Sequence, residues 1–153
     1  MHLDRRWIEE HIPHQNSMCL LEEVLSWDSS RARCRASSHR SPSNPLRANG
    51  RLGAACGIEY AAQTMAVHGA LMASVGGTTA RSGFLASLRA VQLHVDRLDD
   101  VEGDLVTLVT HLAADEHSAL YEFSVSSNQD VLINGRAAIT FHTVAIASGD
   151  PQR

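Results

Sequence analysis

The chain has 153 residues, 44% hydrophobic and 20% charged, with a formal charge of −4, which suits one buried core and is short for two. No apolar run approaches the roughly 20 residues of a membrane span, and the negative charge argues against general nucleic-acid binding. The 13 basic residues are all arginines, which excludes a lysine Schiff base and the phosphate-binding lysine of a P-loop.

In chain order, Met1 to Trp7 lacks the apolar centre of a secretory signal, so the cytoplasm is the expected location. Asp4 to His11 reads as a short amphipathic helix with Asp4 near its N-cap and Pro13 just past its end. Met18–Trp27 and Arg31–Ala36 read as two strands joined by the turn Asp28-Ser29-Ser30. The prolines and the Ser/Asn cluster make Ser37 to Arg51 irregular. From about Gly53 to Val75 the chain reads as a helix with few charges, closed by Gly76-Gly77 and apolar on nearly all sides, hence buried on nearly all sides. Leu85–Val95, Leu105–Ala113, Leu120–Ser126 and Val131–Ile146 are strand-like, and Tyr121, Phe123 and Val125 alternate with polar residues as in a half-buried antiparallel strand. Asn134-Gly135 is expected to form a bulge inside the last strand. Cys19, Cys34 and Cys56, without CxxC spacing, read as reduced structural thiols.

Two strands, one buried helix and four strands fit an α+β architecture, an antiparallel sheet of about six strands curled around a central helix, which is the hot-dog fold. Residues 1–147 are expected to form this single domain and 148–153 a tail. The sheet leaves part of the helix and an edge strand uncovered, so a dimer is expected. Within the helix, Glu59 stands alone as a carboxylate among small and apolar residues. An ionised carboxylate there has to be paired or wetted, or else it is protonated. His39, in the proline-bearing loop, is the ionisable group able to meet it across a pocket.

Three stretches resemble the β-hydroxyacyl dehydratases that act on acyl carrier protein (ACP), a family of the hot-dog superfamily. They are Ile12-Pro13-His14 with the following Met18-Cys19-Leu20-Leu21-Glu22-Glu23-Val24, then His39 to Pro45, then Leu52 to Gln63. More narrowly, Cys56 to Ala70 is similar to the dehydratase-like proteins encoded with aryl-polyene pigment synthesis. The sequence departs from the family pattern in a longer loop after His39 and in Gly53-Ala54, where the family has Pro-Gly.

Loss of water from a β-hydroxyacyl thioester needs a base for the α-proton and an acid for the hydroxyl. The assignment is His39 as base and Glu59 as acid, which the resemblance also implies, with the pair drawn from two subunits. Gln63, one turn beyond Glu59, is a candidate for orienting its carboxyl. The helix start, Ala54, Ala55, Cys56 and Gly57, offers backbone amides to the thioester oxygen; Asn44 and Pro45 complete the candidate substrate-binding set. Ala54, Ala61, Ala62 and Ala66 leave room for an acyl chain. Arg47, Arg51 and Arg81 form a candidate patch for ACP and the phosphate of its phosphopantetheine. No metal site and no cofactor are expected beyond that carrier group. His14 reads as a lid or dimer contact, and His68 as packing. The expected partners are ACP and a second hot-dog chain, identical or not. The competing readings are a catalytically weak subunit that partners an active dehydratase, and a hot-dog thioesterase.

Overall fold

The structure, a computed structural model, describes residues 2–142; the expected tail at 148–153 lies outside the described residues. Strand β1 (Leu3–Asp4) leads into helix α1 (Arg5–His11). The Asp4 carboxylate caps α1 by accepting the Trp7 N–H at 3.1 Å, and Trp7 stacks on His11 one turn later. Strands β2 (Glu23–Trp27) and β3 (Arg31–Ala36) form the expected hairpin. Its turn is held by Asp28 Oδ1, which accepts the N–H groups of Ser30 and Arg31 at 2.8 and 2.9 Å.

The first strand of that hairpin is shorter than expected: residues 19–21 carry no strand pairing, and a 3₁₀ turn, Asn16–Met18, stands before them. The reason is Gln63. Its amide donates to the Met18 carbonyl at 2.7 Å, and its side-chain oxygen accepts the Leu20 N–H at 2.9 Å. Backbone groups bound to a helix side chain are unavailable to a β-ladder.

A 3₁₀ turn, Ala54–Cys56, opens into the central helix α2 (Gly57–Val75). Its end follows the expected pattern, with the Gly76 N–H on the Met72 carbonyl and Gly77 at φ +69°. The helix is buried around most of its circumference by Tyr60, Ala61, Thr64, Met65, Val67 and Leu71, among others. Residues 59, 62, 66 and 69 form a half-exposed stripe along one face.

Strands β4 (Gly83–Leu93), β5 (Leu105–Ala114), β6 (Ser118–Ser127) and β7 (Asp130–Phe141) complete a seven-stranded antiparallel sheet ordered β1-β2-β3-β5-β6-β7-β4. This is the hot-dog fold, with one strand more than expected because the short β1 joins the edge. Ala32, Cys34 and Ala36 from β3, and Tyr121, Phe123 and Val125 from β6, point into the core around α2.

The expected bulge belongs to a different strand. β7 runs through Asn134-Gly135 in unbroken register with β6, whereas β4 places two residues, Ala90 and Val91, opposite Gly135. Ala90 takes φ +54° there. Gly135 lets the bulged strand approach, since a Cβ at that position would sit 3.0–3.1 Å from Val91. β4 lies at the end of the sheet order, with Phe84, Leu88 and Leu93 all more than a third exposed.

Candidate active site

The half-exposed stripe of α2 forms one wall of a cavity of about 490 Å³. Glu59, Ala62, Ala66 and Gly69 line it from the helix, Phe84 and Leu85 from β4, and Ile139 and Phe141 from β7. The segment after α1 contributes Pro13 and His14. Small residues at helical spacing 3-4-3 keep the wall low, and the opposite wall is apolar. Such a groove suits an extended hydrocarbon lying along the helix with one carboxylate beside it.

Glu59 does not stand unpaired. Its Oε2 lies 3.2 Å from His14 Nε2 and 3.3 Å from the Gln63 amide nitrogen. The hydrogen bond from His14 holds the carboxyl below its usual range, against the opposing effect of burial and with further help from Gln63. Glu59 is therefore a carboxylate at neutral pH, suited to taking a proton. The sequence reading expects an acid kept protonated by apolar surroundings, whereas the His14 hydrogen bond favours the ionised form. Gln63 donates to Glu59 one turn away, and its contacts to Met18 and Leu20 tie the helix to the segment that follows His14.

The structure does not bring His39 to Glu59 within the chain. His39 lies in a 3₁₀ turn, Ser38–Arg40, and is 0% exposed. Its Nε2 lies 3.0 Å from the carbonyl oxygens of both Val101 and Gly103. Burial pushes its pKa below the ordinary histidine value. An imidazole with no exposed surface in its own chain is not presented to a pocket, its own or a partner's, in this conformation. Arg40, the next residue, reaches the Glu102 carbonyl and Asp104, both at 2.7 Å, and draws the turn onto the segment before β5.

The other expected residues divide. Asn44 is a loop fastener, donating to the Ser38 carbonyl at 2.9 Å and to the Tyr60 hydroxyl at 3.0 Å, and Pro45 is exposed beside it. At the helix start, the amides of Ala54, Cys56 and Gly57 are committed to the carbonyls of Asp96, Gly53 and Ala54. The expected donor set is thus largely spent on the turn itself. Gly57 has a packing role, since a Cβ there would fall 2.1 Å from Ile133 Cδ1. Ala54 and Ala61 are buried in the core, whereas Ala62 and Ala66 line the groove as expected.

Of the three patch arginines, Arg81 lines the groove, with its guanidinium over the Phe141 ring at 3.9 Å. Arg47 folds back onto the carbonyls of His39 and Gly50, and Arg51 is exposed. His68 is packed as expected, its Nδ1 2.9 Å from the Tyr121 hydroxyl. Tyr121 is also part of the groove wall. Sequence reasoning missed His14 as the partner of Glu59 and Gly69 and Tyr121 as groove residues. The signal for His14 was its place in Ile12-Pro13-His14, where proline fixes the backbone just before it. A wider hollow of about 950 Å³ on the outer sheet face is built around the β4 bulge, and Glu59 is not among its lining residues.

The profile of the ApeP-like family, ApeP dehydratase, matches residues 6–145. The chain belongs to the ApeP-like dehydratase family. Among solved structures it is similar to the dehydratase heterocomplex ApeI:P from Xenorhabdus doucetiae, with 24% identity, a TM-score of 0.79, and coverage of 89% of this chain and 91% of that one. A mutant thioesterase from Pseudomonas aeruginosa shares the fold at 9% identity and a TM-score of 0.57, with 80% and 81% covered. A hypothetical thioesterase protein from Streptococcus pneumoniae, solved with coenzyme A, does so at 9% identity and 0.54, with 78% and 84% covered. No curated protein sequence matches the chain. No helix among the described residues is long and apolar enough to cross a membrane.

Proposed function

We propose that this ApeP-like dehydratase removes water from β-hydroxyacyl thioesters carried on ACP, giving the trans-2-enoyl thioester, in aryl-polyene assembly. The observation that carries this reading is a single carboxylate, Glu59, held from two sides in the wall of an apolar groove lined by small helix residues. As a carboxylate, Glu59 takes the α-proton, so the C–H electrons move into the thioester as an enolate. As the enolate re-forms its carbonyl, the C–O bond breaks and Glu59 returns the proton to the departing hydroxyl. Water leaves and the carboxylate is regenerated. A positioned proton-transfer group of this kind contributes about 10²–10⁴ in rate.

The acyl chain lies along Ala62, Ala66 and Gly69, and Arg81 at the groove receives the phosphate of the carrier's phosphopantetheine. The partner is a second hot-dog subunit, a reading supported by the similarity to a dehydratase solved as the heterocomplex ApeI:P. In support, the groove includes Phe84 and Leu85 of β4, the strand at the end of the sheet order, and the helix stripe is half-exposed in the single chain.

The test follows a β-hydroxyacyl-ACP by mass in the assembled complex, comparing the native chain with Glu59→Gln. Loss of one water with the native chain, and its abolition in Glu59→Gln, is the expected result. Equal turnover in the variant overturns the role of Glu59. Release of free acid instead of enoyl-ACP indicates hydrolysis, and turnover only from the partner subunit indicates a non-catalytic subunit.

A further inference from the structure

We infer that His14 is the positioning residue for Glu59, supplying from within the same chain the imidazole that the loop residue His39 does not present. The inference rests on the dehydratase reading above for its catalytic consequence, and on geometry for the pairing itself. His14 Nε2 lies 3.2 Å from Glu59 Oε2, and both side chains line the groove. Gln63 donates to the same oxygen, so both contacts fall on Oε2 and leave Oε1 to meet the substrate.

The imidazole is itself held in place. Pro13 restricts the backbone immediately before it. Ile12 is 4% exposed and its N–H donates to the Ile8 carbonyl at 3.0 Å, which anchors the segment to α1. On the other side Gln63 grips the Met18 carbonyl and the Leu20 N–H. Gln63 thus fixes at once the carboxylate and the chain segment that brings the imidazole to it. The consequence is a carboxylate aimed into the groove by two donors from two elements.

The two ring nitrogens of His14 differ in their surroundings. His14 Nδ1 is buried without a hydrogen-bond partner among the described residues. Nε2 is the ring nitrogen that faces the carboxylate, so the ring donates to Glu59 through Nε2. His14 therefore orients Glu59 and keeps it ionised, while the proton travels between Glu59 and the substrate. The other titratable groups lining the groove are His11 from α1, Arg81 before β4 and Tyr121 from β6. His39 is absent from this set.

The test uses the assembled complex and pH–rate profiles for the native chain, His14→Ala, His14→Gln, His39→Ala and Glu59→Gln, with thermal melts confirming that each variant folds. In His14→Ala, kcat falls roughly 10–100-fold with a smaller change in KM, and the acid limb of the profile moves to higher pH. His14→Gln, which retains an N–H donor, recovers most of the rate and returns the limb towards its native position. His39→Ala leaves the limb in place. An unmoved acid limb and rate in His14→Ala overturn the proposal, as does an equal shift in His39→Ala.

A readout independent of turnover is the titration of the Glu59 carboxyl carbon by NMR, which moves to higher pH in His14→Ala. If that titration moves while Glu59→Gln keeps full activity, the pairing stands and the dehydratase role of Glu59 falls. If Glu59→Gln is inactive while His14→Ala changes neither titration nor profile, only the positioning role falls.

Discussion

The Tyr60 hydroxyl of α2 accepts the Asn44 amide at 3.0 Å and lies 2.8 Å from the Ser38 hydroxyl, so one buried helix side chain holds the start and the middle of the irregular loop. Asn44 also donates to the Ser38 carbonyl and accepts the Leu46 N–H at 2.8 Å. Asn44→Ala leaves these buried groups unpaired and should lower stability by about 1–3 kcal/mol. Denaturant unfolding reads it directly; an unchanged midpoint would show that the loop is held by other means.

Gly57 sits where the helix start meets β7, and an alanine there would drive its Cβ into Ile133 Cδ1. Gly57→Ala should therefore cost about 1–3 kcal/mol through overpacking. Ile133→Val removes the offending methyl, and the double variant should recover a good part of the loss. A double-mutant cycle on unfolding free energies checks it; strict additivity of the two changes would contradict the proposed contact.

Gly69 is the opposite case, since a Cβ there meets nothing within 4 Å. Gly69→Ala should raise stability by about 0.5–1 kcal/mol, because glycine carries an entropic cost in a helix interior. Gly69→Leu should keep the fold and fill the groove. Competition between short and long β-hydroxyacyl-ACPs should then turn against the long substrate by roughly tenfold or more. Unchanged selectivity would place the acyl chain elsewhere.

His39 and His68 are both held below the ordinary histidine value, chiefly by burial. The folded chain keeps them neutral, whereas the unfolded chain takes up protons near the ordinary value of about 6.5. The unfolded state thus binds more protons in this window, and stability falls as the pH drops through about 6.5 towards the depressed folded values. Urea midpoints measured from about pH 8 to 5.5 should decline, and His39→Gln combined with His68→Gln should flatten the slope. A decline of equal steepness in that double variant would assign the protons to other groups.

The local sequence determined those features whose physics is local. Asp4 and Pro13 bound the first helix, Gly76-Gly77 end the second, and the alternation of Tyr121, Phe123 and Val125 sets the inner face of β6. A helix with few charges required something to wrap it, and so the hot-dog architecture could be read before any coordinate. Glu59 stood out for the same reason, being a charge where burial was expected.

Only the tertiary structure decided which imidazole Glu59 meets within the chain. His39 and His14 both precede Glu59 in the sequence pattern, but side-chain partners of high sequence separation separate them: Arg40 and the carbonyls of 101 and 103 draw His39 inward, while Gln63 draws the 12–20 segment onto the helix. The β4 bulge follows the same logic, since Gly135 permits a close approach without saying which strand will use it. Spacing along a chain records periodicity and caps; the pairing of one buried polar group with another depends on distances that exist only once the sheet has closed around the helix.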